Sequence, residues 1–163
     1  MHMRTAKSKD LPQIVAIYNQ AIAEGNCTAD THSLTVKDRQ YWFDSHSPDK
    51  YPIYVMEQEG KILSWYSLSA HRRGRMALRN VAEISYYVNQ NHRRKGIGRQ
   101  LMQHALKEAP KLGLHNLFAI LLDVNQTSVA LLEKNGFSRW GHLPNIAEFP
   151  DKTCGQFIYG RKV

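Results

Sequence analysis

A short basic turn with two glycines, Arg93-Arg94-Lys95-Gly96-Ile97-Gly98, stands between a strand pattern and a helix pattern. Before the turn, apolar and polar residues alternate through Val81–Val88, which is typical of a half-buried strand. After the turn, apolar residues recur at helical spacing from Leu101 to Ala109. The first turn of a helix has unpaired N–H groups and a partial positive charge, so the sequence predicts an anion-binding site here.

The spacing of the glycines separates this turn from two common nucleotide-binding motifs. A P-loop has four residues between its glycines and then Lys and Ser or Thr, and a dinucleotide fingerprint has a third glycine. The chain has neither pattern, while Gly96 and Gly98 lack a Cβ that would keep an anion from the backbone. Four cationic side chains add diffuse positive charge: Arg93, Arg94, Lys95 and Arg99. The alternative, a solvated turn that only opens a helix, stays open for a lone Gly-x-Gly.

The rest of the chain also divides into helix and strand patterns. Helices are predicted over 11–22 behind the candidate caps Ser8 and Asp10, from Thr35 with Asp38 to Pro48, over 98–109, and from Asn125 to Asn135-Gly136. Strands are predicted over 53–56, 61–69, 81–88, 117–122, 137–140 and 156–159. Met1 and His2, which precede a second methionine, enter no predicted element.

Length, charge and cysteine count narrow the class of protein. A chain of 163 residues is near the commonest domain size, so residues 1–163 are predicted to form one domain. The 22 Lys and Arg against 14 Asp and Glu give a net charge of +8, which favours anionic partners. Cys27 and Cys154 are too few for a disulfide framework, and no apolar run approaches the roughly 18 residues of a membrane span. We expect a cytoplasmic protein with no membrane partner.

Two other site types are disfavoured by the sequence. The eight histidines include no pair at helical metal-binding spacing, so no metal site is predicted. The charge and the second arginine cluster, in residues 72–79, are compatible with nucleic-acid binding, but no helix-turn-helix, RNP or zinc pattern occurs. We therefore expect no nucleic-acid partner.

Two segments at the appropriate separation resemble the GNAT-type N-acetyltransferases. Arg93-x-x-Gly96-x-Gly98 matches the family pattern Arg/Gln-x-x-Gly-x-Gly/Ala, which follows the fourth strand and opens the third helix. Asn125-x-x-Ser128-x-x-Leu131-x-x-Lys134-x-Gly136-Phe137 resembles the segment that lines the pantetheine arm. The resemblance covers nearly the whole chain. It implies acetyl-CoA as acetyl donor and an α/β (α+β) fold, in which a mixed, mostly antiparallel sheet of about six to seven strands is flanked by about four helices.

Within this superfamily the chain resembles the phosphinothricin N-acetyltransferase-like branch, which acetylates the amine of small amino acids and their analogues. The matching segments are Ile17-Tyr18-Asn19, Thr28-Ala29-Asp30-Thr31, Trp42-Phe43, Gly74-Arg75-x-Ala77, Ala82-Glu83, Ser85-Tyr86 and Gly141-His142-Leu143-Pro144. The branch resemblance implies a homodimer and a small-molecule amine, an amino acid, as partner. Met76 and Leu78 replace a proline and a tyrosine that often complete the basic loop, and Gly155 stands where an aspartate is usual. These departures concern the substrate more than the reaction.

The resemblance assigns roles to individual residues. Glu83 is the candidate general base, because an amino acid arrives as an ammonium ion and must lose a proton; the alternative is a solvated carboxylate on an open sheet face. Backbone N–H groups of Tyr86, Tyr87 and Val88 are implied to bind the thioester oxygen and the pantetheine. The remaining cofactor-binding candidates are Arg93, Arg94, Lys95, Gly96, Ile97, Gly98, Arg99, Asn125, Ser128 and Lys134. For Asn125, capping of its helix is an equally good explanation.

Substrate binding and leaving-group protonation complete the predicted site. Arg75 is the candidate partner of a carboxylate or phosphinate, and Asn26, Thr28 and Asp30 are candidates to shape the amine pocket. A plain basic loop and ordinary polar loop residues are the alternatives. Many family members place a tyrosine at the position of Leu132, where it protonates the departing thiolate. With Leu132 there, either CoA leaves as a thiolate stabilised by its surroundings, or water, Tyr86 or Tyr87 supplies the proton. A CoA-binding regulatory module with little turnover is the second functional hypothesis.

Overall fold

The computed structural model describes residues 1–163 and consists of a seven-stranded sheet with helices on both faces. In chain order the strands are β1 His2–Thr5, β2 Ile53–Gln58, β3 Lys61–Ala70, β4 Val81–Val88, β5 Asn116–Leu122, β6 Ser138–Glu148 and β7 Thr153–Lys162. The helices are α1 Leu11–Glu24, α2 Val36–Asp44, α3 Ile97–Glu108 and α4 Gln126–Lys134. None of these helices is long and apolar enough to cross a membrane.

The strands lie in the order β1-β2-β3-β4-β5-β7-β6. All neighbouring pairs are antiparallel except β4 and β5, which are parallel and are connected through α3. A parallel pair needs such a crossover connection, which accounts for the position of α3. The mixed, mostly antiparallel sheet and the four helices confirm the predicted fold class.

A local capping signal explains where helix α2 begins, whereas the predicted cap of α1 has another role. Thr35 and Asp38 form the predicted capping box at α2, with the Thr35 N–H donating to Asp38 Oδ2 at 2.8 Å and the Asp38 N–H to Thr35 Oγ1 at 3.1 Å. Helix α2 ends at Asp44, ahead of Pro48. Asp10 precedes α1, but its carboxylate accepts from the Lys7 N–H at 2.7 Å and pairs with Arg4 instead of capping the helix.

Two parts of the sheet were not fully predicted. Strand β1 pairs with β2 at one edge of the sheet and includes His2, which was left out of every predicted element. Strands β6 and β7 extend well beyond 137–140 and 156–159. Pro144 lies within β6, where the register with β7 shifts between Leu143 and Ala147, so the strand continues through an irregularity.

The two faces of the sheet have separate cores. The larger one contains Leu101 and Met102 of α3 together with Ala82 and Ile84 of β4, all nearly inaccessible to solvent. The smaller one joins α1 to β2 and β3 around Trp65. Because side chains alternate along a strand, Glu83, Ser85 and Tyr87 of β4 project from the other face, which carries α1 and α2.

Candidate active site

Strands β4 and β5 form a wedge that opens toward their carboxyl ends. They pair only from Val81 with Asn116 to Glu83 with Phe118. Beyond Glu83, β4 keeps its pairing with β3 on the other side, and β5 keeps its pairing with β7. The facing edges of the wedge therefore carry N–H and C=O groups with no partner strand, and such an edge can bind an extended polar chain by backbone hydrogen bonds.

The basic glycine turn leads from β4 into α3. Gly96 lies in the left-handed region with φ 76°, and helix α3 begins at Ile97, whose side chain is buried. Arg94 also has a positive φ of 61°, a conformation that costs a non-glycine residue about 1 kcal/mol. No acidic side chain lies in the first turn of α3, whereas Arg94, Lys95 and Arg99 are exposed. The predicted anion site thus combines free N–H groups with three available cations.

The other predicted cation, Arg93, has structural partners. Its guanidinium forms an ion pair with Glu24 at the end of α1, and its Nε donates to the Val88 carbonyl oxygen at 3.4 Å. These contacts fasten the turn to α1 and to the end of β4. Arg93 therefore differs from the three free cations of the turn.

Gly98 has a packing reason as well as the predicted phosphate-binding one. A Cβ added there would lie 3.2 Å from Leu131 Cδ2, closer than ordinary contact, so the glycine lets α3 approach α4. At Gly96 a Cβ would meet no protein atom within 4 Å, so within the protein itself only the backbone conformation requires glycine. The two glycines thus serve different purposes.

Helix α4 brings part of its predicted segment near the wedge. Asn125 is 9% exposed, and its Oδ1 accepts from the Ser128 N–H at 3.2 Å, so the capping explanation holds for this atom. Burial raises the pKa of the Tyr86 phenol to about 12, and a side-chain hydrogen bond with Ser128 opposes this shift. Ser128 therefore lies near the Tyr86 hydroxyl. Lys134 is exposed in the last turn of α4, about 13 Å from Asn125 along the helix axis, and does not join this group.

Glu83 occupies the apex of the wedge. It is the last residue of β4 that pairs with β5, and Ser69 lies directly opposite it on β3. Burial raises the pKa of its carboxyl group above the ordinary value. This half-buried position does not fit the alternative of a fully solvated carboxylate, and the role of Glu83 as general base stays a prediction.

The segment after α1 contributes predicted substrate residues to the sheet face from which Glu83 and Tyr87 project. Tyr18 donates its hydroxyl hydrogen to Asp30 and lies 2.8 Å from Thr28 Oγ1, so Thr28 and Asp30 meet at one phenol. The Tyr87 ring packs edge-on against Tyr18 with 5.0 Å between centroids. Asn26 lies outside this group, and its side-chain oxygen accepts from the Cys27 thiol at 3.2 Å.

Arg75 lies in the basic loop between β3 and β4. Residues 70–76, with Tyr51, Leu78 and Arg79, line a pocket of about 240 Å³. His71 in this loop packs edge-on against Phe118, the β5 neighbour of Glu83, at 4.9 Å between centroids. The pocket therefore adjoins the apex of the wedge, and the Arg75 guanidinium is exposed there without a hydrogen-bond partner.

Two polar residues near Glu83 were missed by sequence reasoning. His46 follows α2, and its Nδ1 lies 2.7 Å from the Trp42 carbonyl oxygen, which can only accept a hydrogen bond. Its Nε2 then accepts from Ser69 Oγ at 3.1 Å, and burial lowers the imidazole pKa. No spacing signal could have linked these residues, since they come from separate segments that only the fold brings together.

The departures from the family pattern also have structural explanations. Leu132 is fully buried in the larger core and offers no proton. At Gly155 a Cβ would lie 2.6 Å from the Leu143 carbonyl oxygen and would also meet Asp123, whose carboxylate is 3.1 Å from His142 Nε2. No larger residue fits at position 155 beside this Asp123–His142 pair.

Comparison with known proteins identifies a family model and relatives that are acetyltransferases. The model of the acetyltransferase (GNAT) family matches residues 16–137. The chain is 42% identical to YwnH of Bacillus subtilis, provisionally named a phosphinothricin acetyltransferase, over 100% of this chain and 99% of that protein. It is 36% identical to an L-methionine sulfoximine/L-methionine sulfone acetyltransferase of Pseudomonas aeruginosa, over 90% of this chain and 85% of that protein.

A solved structure shows the same fold with a cofactor. The phosphinothricin acetyltransferase of Sinorhizobium meliloti, in complex with acetyl-CoA, superposes with a TM-score of 0.91 at 24% identity, over 99% of this chain and 88% of that one. The family model and the relatives confirm the predicted enzyme class, an acetyl-CoA-dependent N-acetyltransferase, and the solved structure confirms the fold. The family model covers well over half of the sequence, and this chain therefore belongs to the acetyltransferase (GNAT) family.

Proposed function

We propose that residues 1–163 form one catalytic domain that transfers the acetyl group of acetyl-CoA to the primary amine of a small amino acid or analogue. Acceptors resembling phosphinothricin and methionine sulfoximine are favoured, because the relatives bear the names of such substrates. The observation that carries the proposal is the wedge between β4 and β5, with a half-buried carboxylate at its apex and a basic helix start at its mouth. The acceptor amine attacks the donor directly in a ternary complex.

The donor side relies on the backbone. The unpaired edge of β4 at Tyr86, Tyr87 and Val88 suits the amide groups of the pantetheine, and its N–H groups donate to the thioester oxygen as negative charge develops there. The N–H groups of Ile97, Gly98 and Arg99 suit the pyrophosphate. When bound, acetyl-CoA supplies the activated acetyl group. Arg94, Lys95 and Arg99 add charge at this end, while Arg93 holds the turn in place.

The acceptor side relies on side chains. Glu83 takes the proton of the ammonium group, directly or through a water molecule, and its raised pKa brings its basicity closer to the working pH. Arg75 pairs with an anionic group of the acceptor from the basic loop, where a guanidinium fork matches two oxygens. Thr28 and Asp30, held together by Tyr18, shape the amine pocket, with Asn26 at its margin.

The departing thiolate needs a stabilising group other than Leu132. Tyr86 lies on the unpaired part of β4 near Ser128, and its pKa of about 12 keeps the phenol protonated at neutral pH. Tyr86 or a water molecule is therefore the proposed proton donor. The two cysteines are unpaired, which supports a cytoplasmic setting, and the branch resemblance supports a homodimer.

A panel of amines tests the proposed function. The protein is incubated with acetyl-CoA and phosphinothricin, L-methionine sulfoximine, L-methionine sulfone, the common amino acids, a peptide N-terminus and a polyamine. Free thiol is followed by absorbance, and products are identified by mass spectrometry. We expect thiol release with at least one amino-acid analogue and little with the peptide or polyamine. Tight CoA binding without thiol release across the panel would instead favour the regulatory module.

A further inference from the structure

Arg39 of α2 is a half-buried arginine whose guanidinium lies over two aromatic rings. Its guanidinium carbon lies 3.9 Å from the centroid of the Trp42 ring and 4.9 Å from that of Tyr18. Burial lowers its pKa, since a charged group is being removed from water. The position is therefore unfavourable for a cation unless something compensates.

The N–H groups of Arg39 have no protein acceptor. The chain has three arginines that are not exposed, Arg4, Arg39 and Arg161. Arg4 pairs with Asp10 and Glu57, and Arg161 donates to the Asn135 carbonyl oxygen, whereas no hydrogen bond or ion pair involves the Arg39 guanidinium. A cation–π contact uses the face of the aromatic ring and satisfies none of the guanidinium N–H donors, which lie along its planar edge. That edge is the part that binds a carboxylate through two parallel hydrogen bonds.

The surroundings of Arg39 suit an amino acid in its zwitterionic form. Asp30 and the Tyr87 phenol are near enough to act on the charge of Arg39, and Asp30 is held in place by Tyr18. Tyr87 lies on the same face of β4 as Glu83. One face of the sheet therefore presents a cation with free donors, an anion beside it, and the proposed base. An amino acid carries its ammonium and carboxylate on a single carbon, so it needs such closely spaced opposite charges.

We propose that Arg39 binds the α-carboxylate of the amino-acid acceptor and so selects amino acids over simple amines. This inference rests on the proposed function and divides the work between two arginines. Arg39 holds the carboxylate beside the reacting amine, and Arg75 in the exposed basic loop contacts the distal group. The contacts with Trp42 and Tyr18 restrict the motion of the guanidinium before the substrate arrives, which reduces the entropy lost on binding.

The test combines substitutions with a change in the substrate charge. Wild type, R39Q, R39M, R39K and R75Q are assayed with L-methionine sulfone and with its neutral α-carboxamide, at saturating acetyl-CoA. R39M keeps an apolar stem on Trp42, and R39K keeps the charge without the fork. We expect R39Q and R39M to raise KM for the sulfone about 10- to 100-fold while changing KM for the carboxamide less than about threefold. R39K should fall between wild type and R39Q, and R75Q should affect both substrates alike.

Calorimetric titration of the CoA-bound proteins with both compounds gives a readout that does not require turnover. If wild type binds the sulfone without acetylating it, the proposed reaction fails while the Arg39 inference is still decided by the binding of R39Q. Equal losses on both compounds would show that Arg39 only packs against Trp42. The inference would also be overturned if the Arg39 variants bound both compounds as tightly as wild type does. Loss of discrimination between the two compounds in R75Q instead of in the Arg39 variants, or failure of wild type to bind the sulfone, would overturn it as well.

Discussion

The two sides of the wedge recognise their ligands by different means. The donor side consists of a strand edge, a helix start and a turn whose glycine has a positive φ. The acceptor side consists of side chains from α1, α2, three loops and two strands: Tyr18, Thr28, Asp30, Arg39, His46, Ser69, Arg75 and Glu83. Backbone groups are supplied by any sequence that keeps the fold, whereas a set of side chains changes with each substitution. The fold thus retains the donor while the acceptor is free to vary.

This contrast predicts that substitutions will separate the two binding functions. A change on the acceptor side should alter turnover or the amine KM and leave acetyl-CoA affinity intact. A change on the donor side should do the reverse. A variant that altered both equally would show that the two sides are not independent.

The largest effect is expected from E83Q. Gln cannot accept the proton, so kcat should fall about 10²- to 10⁴-fold, with the acetyl-CoA Kd within about twofold of wild type. Rates measured with saturating amine and binding measured by calorimetry provide the test. Unchanged turnover would remove the role of Glu83 as base.

E83Q is expected to lower turnover but to raise the stability of the folded protein. The Glu83 pKa is higher in the folded protein than in the unfolded chain. At pH values just above the ordinary glutamate pKa, the folded state therefore binds more protons than the unfolded state does. Stability due to this group is therefore lost as pH rises through that range and stays lost at neutral pH. E83Q should have a higher Tm than wild type at pH 7, and similar Tm values would show that the carboxylate is solvated.

On the donor side, G96A should weaken acetyl-CoA binding about tenfold through strain and a Cβ at the phosphate site. Its matched control is G113A, because Gly113 has φ +72° against +76° for Gly96, and a Cβ would meet nothing within 4 Å at either position. Both variants should lose about 1 kcal/mol of stability, but only G96A should lose affinity. Equal acetyl-CoA affinities would argue against a phosphate beside this turn.

A smaller effect is expected from H46Q in the pH dependence of stability. Burial lowers the pKa of His46 below 6.5, with Arg39 and Arg73 adding to the shift and the Trp42 carbonyl opposing it. Stability is therefore lost as pH falls below about 6.5, where the unfolded state takes up the proton first. H46Q should flatten the decline of Tm between about pH 6.5 and 5, and a decline as steep as that of wild type would contradict the burial of this imidazole. H104Q is the control in the other core, since His104 also has a lowered pKa.

The smallest effects are expected within the turn itself. R94Q should weaken acetyl-CoA binding about two- to fivefold, less at high salt, because an exposed charge is screened. R93Q should leave the affinity nearly unchanged and slightly lower Tm, because Arg93 is occupied by Glu24. A larger loss in R93Q than in R94Q would mean that the ion pair opens to bind the cofactor.

The features that could be predicted from sequence are those encoded locally. The capping box at Thr35 and Asp38, the cap at Asn125 and the helix start at Gly96 each lie within a few residues, and each is found in the structure. The alternation in β4 placed Glu83 on the correct face. Strand β1 was missed because four residues carry too little pattern.

The contacts that could not be predicted join distant segments. Arg93 resembled a phosphate ligand, yet its partner Glu24 belongs to α1. Gly98 resembled a phosphate cradle, yet Leu131 of α4 also excludes a side chain there. His46 and Ser69 are separated by a hairpin, and only the packing of α2 on the sheet brings them together.

The short parallel ladder between β4 and β5 also bears on how the protein persists in a cell. A sheet with such a gap has two inner edges in addition to its outer ones, and free edges are sites where chains aggregate. A ligand that fills the gap protects both edges and stabilises the folded state by mass action, by about 2.7 kcal/mol at a concentration of 100 times its Kd. The lifetime of the folded chain should therefore follow the supply of the acetyl donor, so that a starved cell retains less of the enzyme that would consume it.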